Sequence, residues 1–338
     1  NPQVRNKTFY FEQKEEFLIM KHINPKDIPV QEVQKYLLGG IAPRPIALVS
    51  TLSTKGEVNL APFSFFNAFG SNPPIIAFSS SRRVRDGSFK DTYNNLIATK
   101  ECVVQVVTYP MVEQVSLSST EYETGINEFI KSGLTPVDSY LVKPKRVKES
   151  PFQMECILQQ MISLGEGKGS GNLAICEVIQ FHIDEDIFKD GVIHPDLIDL
   201  VGRNSGDFYT RASGPAIFEV EKPLYKKGMG YDNLPDFIRN SDIYSANNLG
   251  KFGNSEQIPS KEEVLKFINS LELFEATDEM FHRFLRHNDY KKMLETAIYL
   301  YKLGNTKAKI YIEQAAKCAL ENNNVDFAWK TALYANLI

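Results

Sequence analysis

Hydroxyl and basic side chains are concentrated between positions 79 and 92, in the segment SSSRRVRDGSFKDT. The members of this group are Ser79, Ser80, Ser81, Arg82, Arg83, Arg85, Lys90 and Thr92. Such groups donate strong hydrogen bonds to phosphate oxygens, and a helix N-terminus favours anions as well. The segment follows a predicted strand and precedes a predicted helix. It therefore indicates an anion site, with a solvated basic loop as the alternative interpretation.

An aromatic run, NLAPFSFFNAFGSNPP at residues 59–74, precedes the basic segment. It contains four Phe and three Pro, and the prolines predict that it does not form regular secondary structure. A strand that ends in an irregular Pro-Phe-Ser turn releases backbone amides while its side chains stay packed. This combination suits a planar aromatic ligand, which needs polar contacts at its edge and apolar surface over its face.

The remaining motifs give weaker indications of catalysis or ligand binding. The sequence contains no convincing nucleophile with an adjacent base, and its four cysteines lack zinc spacing, so they are interpreted as buried reduced thiols. The glycine-rich stretch 165–172 fails the spacing of phosphate-binding loops. It is interpreted as a hairpin connection, with a flap facing a substrate as the alternative. His182 and His194 are more often structural than catalytic in such positions, although His194 is a candidate for a pocket mouth.

Short apolar runs separated by turn residues predict six strands in the first half of the chain. Their bounds are 45–53, 58–63, 74–81, 101–109, 152–164 and 172–184. Six strands suffice for a small antiparallel barrel. Short helices are predicted at IPVQEVQKYLL, at KDTYNNLIATK and around residues 111–117.

In the second half of the chain, the sequence pattern changes from strands to helices. A capping box at Ser260–Glu263 starts a helical pattern that continues at 276–286, 289–303, 306–322 and 325–337. We therefore expect a polar N-terminal extension (1–19), a barrel domain (20–215), an irregular segment that wraps over it (216–259) and a helical C-terminal region (260–338). The helical hairpin resembles a tetratricopeptide hairpin, but one pair does not establish a repeat array.

Charge and hydropathy exclude some partners. Acidic and basic residues number 42 and 38, a net charge of −4, which gives no global reason to expect nucleic acid or an anionic membrane. We see no secretory signal and no apolar run long enough to span a bilayer, so a cytoplasmic location is expected.

Four segments together resemble the flavin reductase-like family of FMN-binding split barrels. They are PRPIALVST, GEVNLAPFSFFN, NPPIIAFS and KDTYNN, and the similarity extends over residues 28–212. The resemblance implies a mainly β fold, a Greek-key antiparallel split β-barrel with short helices, followed here by an α-helical region. It also implies an FMN cofactor, a cytoplasmic homodimer, and a site to which the partner chain contributes.

The resemblance also implies site residues. Ser50 and Thr51 match positions that meet the pyrimidine edge of the flavin. Those matching the turn along the ring and ribityl chain are Pro62, Phe63, Ser64 and Phe65. Those matching phosphate and ribityl contacts are Ser79, Ser81, Arg83, Lys90, Asp91 and Thr92. His194 and Tyr209 are candidates for lining the pocket, and no metal is expected.

The implied function is an FMN-dependent oxidoreductase. Hydride passes from NAD(P)H to the flavin, and electrons continue to free flavin, a monooxygenase partner or a small acceptor. One alternative is an FMN-dependent enzyme for a specific metabolite, with the C-terminal segment as a lid. Another is a flavin-binding or scaffold module whose helical tail docks a partner. The minimal reductases of the family end soon after the barrel, whereas this chain continues for more than a hundred residues.

Overall fold

A computed structural model describes residues 20–123 and 125–338. The expected polar extension at 1–19 lies outside the described residues. Contacts divide the chain between Phe218 and Glu219 into two compact units, which we name the sheet unit (to Phe218) and the helical unit (219–338). No helix among the residues described is long and apolar enough to cross a membrane.

The strands all lie in the sheet unit. Their bounds are β1 Ala47–Leu52, β2 Val58–Phe63, β3 Phe66–Ser71, β4 Pro74–Ser79, β5 Glu101–Val106, β6 Pro136–Val137, β7 Arg146–Val147, β8 Phe152–Ser163, β9 Asn172–Ile183, β10 Phe188–Lys189, β11 Val192–Ile193, β12 Val201–Arg203 and β13 Tyr209–Arg211. Seven of them form one antiparallel sheet in the order β2-β1-β5-β8-β9-β4-β3. All six strands expected from the sequence are present in this sheet.

The sheet does not close into a barrel. Within the described residues, β2 and β3 are its two edges, although only Ser64 and Phe65 separate them along the chain. The backbone amide of Ser79 donates to the carbonyl of Phe65 at 2.9 Å, which fixes this crossing point beside the end of β4. The split between β2 and β3 therefore lies at the aromatic run.

The expectation of irregular structure across the aromatic run is wrong for most of its length. β2 includes Pro62 and β3 begins at Phe66, so only Ser64 and Phe65 separate β2 from β3, and only Asn72 and Pro73 separate β3 from β4. Pro62 is tolerated because β2 is an edge strand, where a missing amide donor costs little. Ser71 pairs with Pro74 across a two-residue turn, and the remaining proline, Pro73, lies in that turn.

The interior of the sheet is apolar and includes three cysteines. Cys102, Cys156 and Cys176 are fully buried among residues such as Val49 and Phe78. Cys318, in the helical unit, is also buried, and all four thiols are free. These cysteines confirm the interpretation as buried reduced thiols.

The helices of the sheet unit are short. Their bounds are α1 Val30–Gly40, α2 Asp91–Thr99, α3 Val112–Leu117, α4 Glu128–Ser132 and α5 Pro195–Ile198. Single 3₁₀ turns lie at Pro25–Asp27, Tyr109–Met111, Glu185–Ile187 and Gly214–Ala216. The three helices expected before β1, after β4 and near residue 111 are all present.

The helical unit has its own core. Its helices are α6 Asp236–Arg239, α7 Ala246–Gly253, α8 Lys261–Asn269, α9 Asp278–Arg286, α10 Tyr290–Lys302, α11 Ala308–Glu321 and α12 Val325–Leu337. The expected capping box is present, because the Ser260 and Glu263 side chains each accept the other's backbone amide. Because of these helices the whole chain has mixed helix and strand content, so the description as mainly β applies to the sheet unit alone.

Residues 219–259 belong to the helical unit. We expected residues 216–259 to form a separate segment wrapping the barrel, but Leu234, Ile238 and Phe252 are buried in the same cluster as α10, α11 and α12. Trp329 of α12 packs its ring 4.6 Å from that of Phe252 and donates Nε1–H to Ser255 at 2.9 Å. The apolar residues of this segment have no regular spacing along the chain, so the sequence did not predict that they pack against the helices.

Candidate functional site

The basic segment forms the connection between β4 and α2. Arg83 forms its contacts within this segment. Its guanidinium donates a hydrogen bond to the Phe89 carbonyl at 2.5 Å and lies 3.8 Å from a carboxylate oxygen of Asp91. It also lies 4.0 Å from a carboxylate oxygen of Glu121. These contacts show that Arg83 braces the loop at the point where α2 begins.

Lys90 is differently placed. It is the N-cap residue of α2, and its side chain does not cap the helix. Its Nζ lies 5.3 Å from the centre of the Phe63 ring and, among the described residues, forms no hydrogen bond. Burial lowers the pKa of Lys90, with Arg83 acting in the same direction and Glu121 opposing it. A half-buried ammonium group beside open helix amides favours an anionic ligand.

A cleft of about 450 Å³ opens on the outer face of the sheet unit. Phe65, Phe66 and Phe69 line one side, and Ser79 and Ser81 lie at the end of β4. Leu164, Gly169, Gly171 and Leu173, in and around the β8–β9 connection, complete the wall. The glycine-rich stretch is the expected hairpin connection between β8 and β9, and its Gly169 and Gly171 line the cleft.

Buried polar atoms without partners cluster at the end of β4. Within the described chain, Ser79 Oγ, Ser80 Oγ, Arg82 Nε and Asn172 Oδ1 are buried and have no hydrogen-bond partner. Two backbone segments bring them together, since the Ser80 amide donates to the Asn172 carbonyl at 3.1 Å. Buried polar groups are normally satisfied, so such a cluster indicates a position for polar ligand atoms or ordered water. The two serine hydroxyls and Arg82 Nε can donate to the phosphate of a phosphorylated cofactor, and Asn172 Oδ1 can accept from a ligand hydroxyl or a water molecule.

The hydroxyls of Thr51 and Thr92 are used inside the protein. Asn59 Nδ2 donates to Thr51 Oγ1 at 3.0 Å and to Thr92 Oγ1 at 2.9 Å, and Asn95 Nδ2 donates to Thr51 Oγ1 at 3.0 Å. All four side chains are buried. This network connects β1, β2 and the first turn of α2.

The other residues expected to contact the flavin ring lie in different parts of the sheet unit. Ser50 is buried and donates its hydroxyl to the Lys145 carbonyl at 2.5 Å, away from the cleft. Pro62 and Phe63 lie in β2, and the Phe63 ring packs 5.5 Å from that of Phe78. Ser64 accepts a long hydrogen bond of 3.4 Å from Arg44 Nε. Of the expected turn residues, only Phe65 lines the cleft.

His194 and Tyr209 do not line the cleft. His194 caps α5, since its Nδ1 accepts from the amide of Asp196 at 3.3 Å. Tyr209 is 40% exposed, and the guanidinium of Arg203 lies 4.5 Å from its ring centre. In the described residues, no group of His, Cys, Asp and Glu is arranged to hold a metal ion.

Phe89, Asn59 and Asn172 were not predicted as site residues from the sequence, and Arg82 was predicted only as a member of the basic segment. Arg82 stacks on Phe89 at 4.1 Å, and Phe89 stacks in turn on Tyr93 at 4.0 Å. Asn59 and Asn172 are ordinary amides whose partners are distant in the chain. The glycines before Asn172 were the available signal, because a run of glycines often marks a close backbone approach.

Gly171→Ala is expected to weaken ligand binding in the cleft. A Cβ at this position would lie 2.9 Å from Ser79 Oγ and 3.2 Å from Leu164 Cδ1, so it displaces the Ser79 hydroxyl. We expect a loss of about 1 kcal/mol in FMN binding, measured by fluorescence titration. Gly39→Ala is the matched control, because a Cβ there meets nothing within 4 Å. Unchanged binding in Gly171→Ala would place the ligand elsewhere.

The open antiparallel sheet, split between β2 and β3 and with a cleft lined by residues of β3, β4 and β9, defines a split-barrel class of ligand-binding domain. Residues 39–199 match the flavin reductase like domain. An uncharacterized protein of Aquifex aeolicus is 33% identical over 196 residues, which cover 58% of this chain and 97% of that relative. The chain belongs to the flavin reductase-like family.

Solved structures agree on the fold. Component B of nitrilotriacetate monooxygenase from Bacillus cereus is 32% identical, with a TM-score of 0.56 over 60% of this chain and 98% of that one. A 2-nitrobenzoate 2-nitroreductase from Pseudomonas fluorescens, 24% identical, has a TM-score of 0.55 over 62% of this chain and 100% of that one. The family match ends at residue 199, so it does not include the helical unit.

Proposed function

We propose that the protein is an FMN-dependent oxidoreductase that accepts hydride from NADH or NADPH and passes electrons to a further acceptor. The observation that carries this proposal is the combination, in a flavin reductase-like chain, of an aromatic-lined cleft with unpartnered polar atoms and Lys90 near the start of α2. We further propose a cytoplasmic location, as expected for a reductase that uses soluble nucleotides.

The residues present divide the proposed work between them. Lys90, the first amides of α2, Ser79 and Ser81 hold the phosphate and ribityl hydroxyls, and Phe65 packs against the flat ring. When bound, FMN supplies the centre that accepts a hydride and donates electrons. Arg83 and Asp91 brace the loop that presents these donors. The hydroxyls of Ser50, Thr51 and Thr92 are engaged within the protein, so we assign these residues a supporting position behind the site.

We also propose a homodimer built on the outer face of β3, β4 and β9. Phe69 of β3 is 68% exposed and Ile179 of β9 is 37% exposed, and Phe69 and Leu173 both line the cleft on these strands. We infer that a second copy of the chain covers these exposed apolar side chains in an isologous interface. Sedimentation should therefore show a dimer for the natural chain and a monomer for Phe69→Asp, whereas a monomeric natural chain would refute this interface.

Steady-state oxidation of NADH and NADPH with added FMN tests the reductase. Rapid turnover with one nucleotide, and electron transfer to free FMN, is the expected result. The acceptor in the cell is then free flavin or a monooxygenase partner, a role consistent with the Bacillus cereus relative being a monooxygenase component. Bound FMN with negligible nucleotide oxidation would instead favour an enzyme for a specific metabolite.

A second candidate function is a flavin-binding module that docks a partner through the helical unit. The separate core of that unit favours it, because Trp329, Phe252 and Phe281 are buried within residues 219–338 alone. Removing residues 219–338 should then leave flavin binding and turnover intact while a co-purifying protein is lost. Loss of turnover in the shortened chain would show that the helical unit serves the enzyme.

A further inference from the structure

Asn59 is positioned to connect the sheet to the first turn of α2. Its two amide hydrogens are donated to different elements: one to Thr51 Oγ1 on β1 at 3.0 Å, the other to Thr92 Oγ1 on α2 at 2.9 Å. Asn95 lies one turn further along α2, and its Nδ2 donates to the same Thr51 oxygen at 3.0 Å. Thr51 and Thr92 are 0% and 1% exposed, and Asn59 and Asn95 are 9% and 8% exposed.

A buried network of this kind is rigid. Both amide hydrogens of Asn59 and one of Asn95 have a buried acceptor, and breaking one of these bonds leaves a buried donor unsatisfied, which is costly in a low dielectric. The network therefore fixes both the distance and the rotation of α2 relative to β1 and β2. A helix shift of about 1 Å would break these hydrogen bonds.

The turn held in this way is the one that faces the proposed phosphate. Thr92 is two residues from Lys90, and the amides at the start of α2 have no side-chain cap. Arg83 braces the other side of the loop through the Phe89 carbonyl. Helix amides stabilise an anion only when they are held at hydrogen-bonding distance from it, so the placement of α2 controls how well the phosphate is recognised.

We infer that Asn59 and Asn95 are positioning residues that set the preference of the site for phosphorylated flavin. They act through Thr51 and Thr92 and do not contact the ligand. This inference rests on the proposed flavin site and adds the residues that control its phosphate selectivity. A purely structural network would instead affect stability alone, without changing the relative affinity for two ligands that differ only in the phosphate.

The test compares FMN and riboflavin binding by fluorescence titration in the full chain. Asn59→Leu and Asn95→Leu remove the donors at similar volume, and each should reduce the preference for FMN over riboflavin about fivefold with riboflavin affinity unchanged. Thr51→Ser keeps the shared acceptor oxygen and should keep the preference. Gln105→Leu is the matched control, because Gln105 is a buried amide of the same sheet that bonds the Leu48 carbonyl and the Val147 amide.

The outcomes separate the inference from the proposed function. An unchanged preference in Asn59→Leu, or an equal loss for FMN and riboflavin, would overturn the positioning role while leaving flavin binding intact. A natural chain that binds neither ligand would overturn the proposed function first. Should Asn59→Leu not fold, Thr51→Val removes the shared acceptor at nearly constant volume and gives the same comparison with Thr51→Ser.

Discussion

Replacing Lys90 by Met should weaken FMN binding while leaving riboflavin binding nearly unchanged. Methionine keeps an unbranched side chain against the Phe63 ring and removes only the charge. Because Nζ has no hydrogen bond to any described residue, its loss leaves no unsatisfied protein group behind. The expected cost is roughly 1 to 3 kcal/mol of FMN binding free energy, the value of a hydrogen bond to a charged group.

The measurement is a pair of titrations, with FMN and with riboflavin, for each variant. Lys100→Met is the matched control, since Lys100 is exposed at the opposite end of α2. Arg83→Ala is a useful third variant: its guanidinium braces the Phe89 carbonyl, so its loss should weaken FMN by displacing the loop. Equal losses of FMN and riboflavin in Lys90→Met would mean that the phosphate lies elsewhere.

Glu155→Gln should destabilise the sheet unit far more than the same change at an exposed carboxylate. Glu155 is 0% exposed, and its oxygens accept from the amides of Tyr140 and Leu141 at 2.6 Å and of Val142 at 3.0 Å. His182 Nε2 lies 2.7 Å from the same carboxylate. An amide in place of the carboxylate sets an NH₂ group against backbone donors, so we expect a loss of about 3 kcal/mol in unfolding free energy.

The same carboxylate gives a pH dependence with a definite sign. Burial opposes its ionisation, but hydrogen bonds from Tyr140, Leu141 and then His182 outweigh burial, so the pKa of Glu155 lies below its ordinary value. A group with a lowered pKa in the folded state stabilises at pH values above its unfolded pKa. This stabilisation is lost as the pH falls through the folded pKa, so acid should narrow the difference between the natural chain and Glu155→Gln.

Thermal or urea unfolding between neutral and acidic pH measures both effects. Glu149→Gln is the matched control: Glu149 also accepts a backbone amide, from Thr135, but it is only partly buried, so its change should cost much less, about 0.5 kcal/mol. Equal stability of the natural chain and Glu155→Gln at neutral pH would contradict the role of Glu155 in holding residues 140–142.

The strands could be read from the sequence where apolar runs are long and bounded by turn residues. β8 and β9 were expected at 152–164 and 172–184 and are observed at Phe152–Ser163 and Asn172–Ile183. β3 was missed because the prolines on either side of it, Pro62 and Pro73, suggested a break, whereas a proline on an edge strand or in a two-residue turn leaves the ladder intact. Position in the sheet decides this, and position is not local information.

The basic segment was recognised as a group, but the distinct roles of its members depend on packing. Arg82 stacks on Phe89, Arg83 braces the loop, and Lys90 remains available to a ligand. Side chains of one charge look alike in a sequence, and only their neighbours separate them. Similarly, Asn59 and Thr92 lie far apart in the chain, and nothing local pairs them.

In the helical unit, the helices with regular apolar spacing could be predicted from the sequence. Four of its helices follow the apolar periodicity closely, and α12 is observed at the expected bounds, Val325–Leu337. Residues 219–259 lack such periodicity, so their inclusion in the same core through Ile238 and Phe252 had no local signal.

The most direct test of the flavin site is the visible absorption spectrum of the purified protein, followed by anaerobic addition of NADH and then NADPH. We expect flavin bands, either as purified or after FMN is added and excess ligand removed, and we expect one nucleotide to bleach them. Flavin bands that persist after both nucleotides are added would support the FMN site but exclude NADH and NADPH as its electron donors. A protein that shows no flavin bands even after FMN is added would contradict the flavin site and favour the scaffold function.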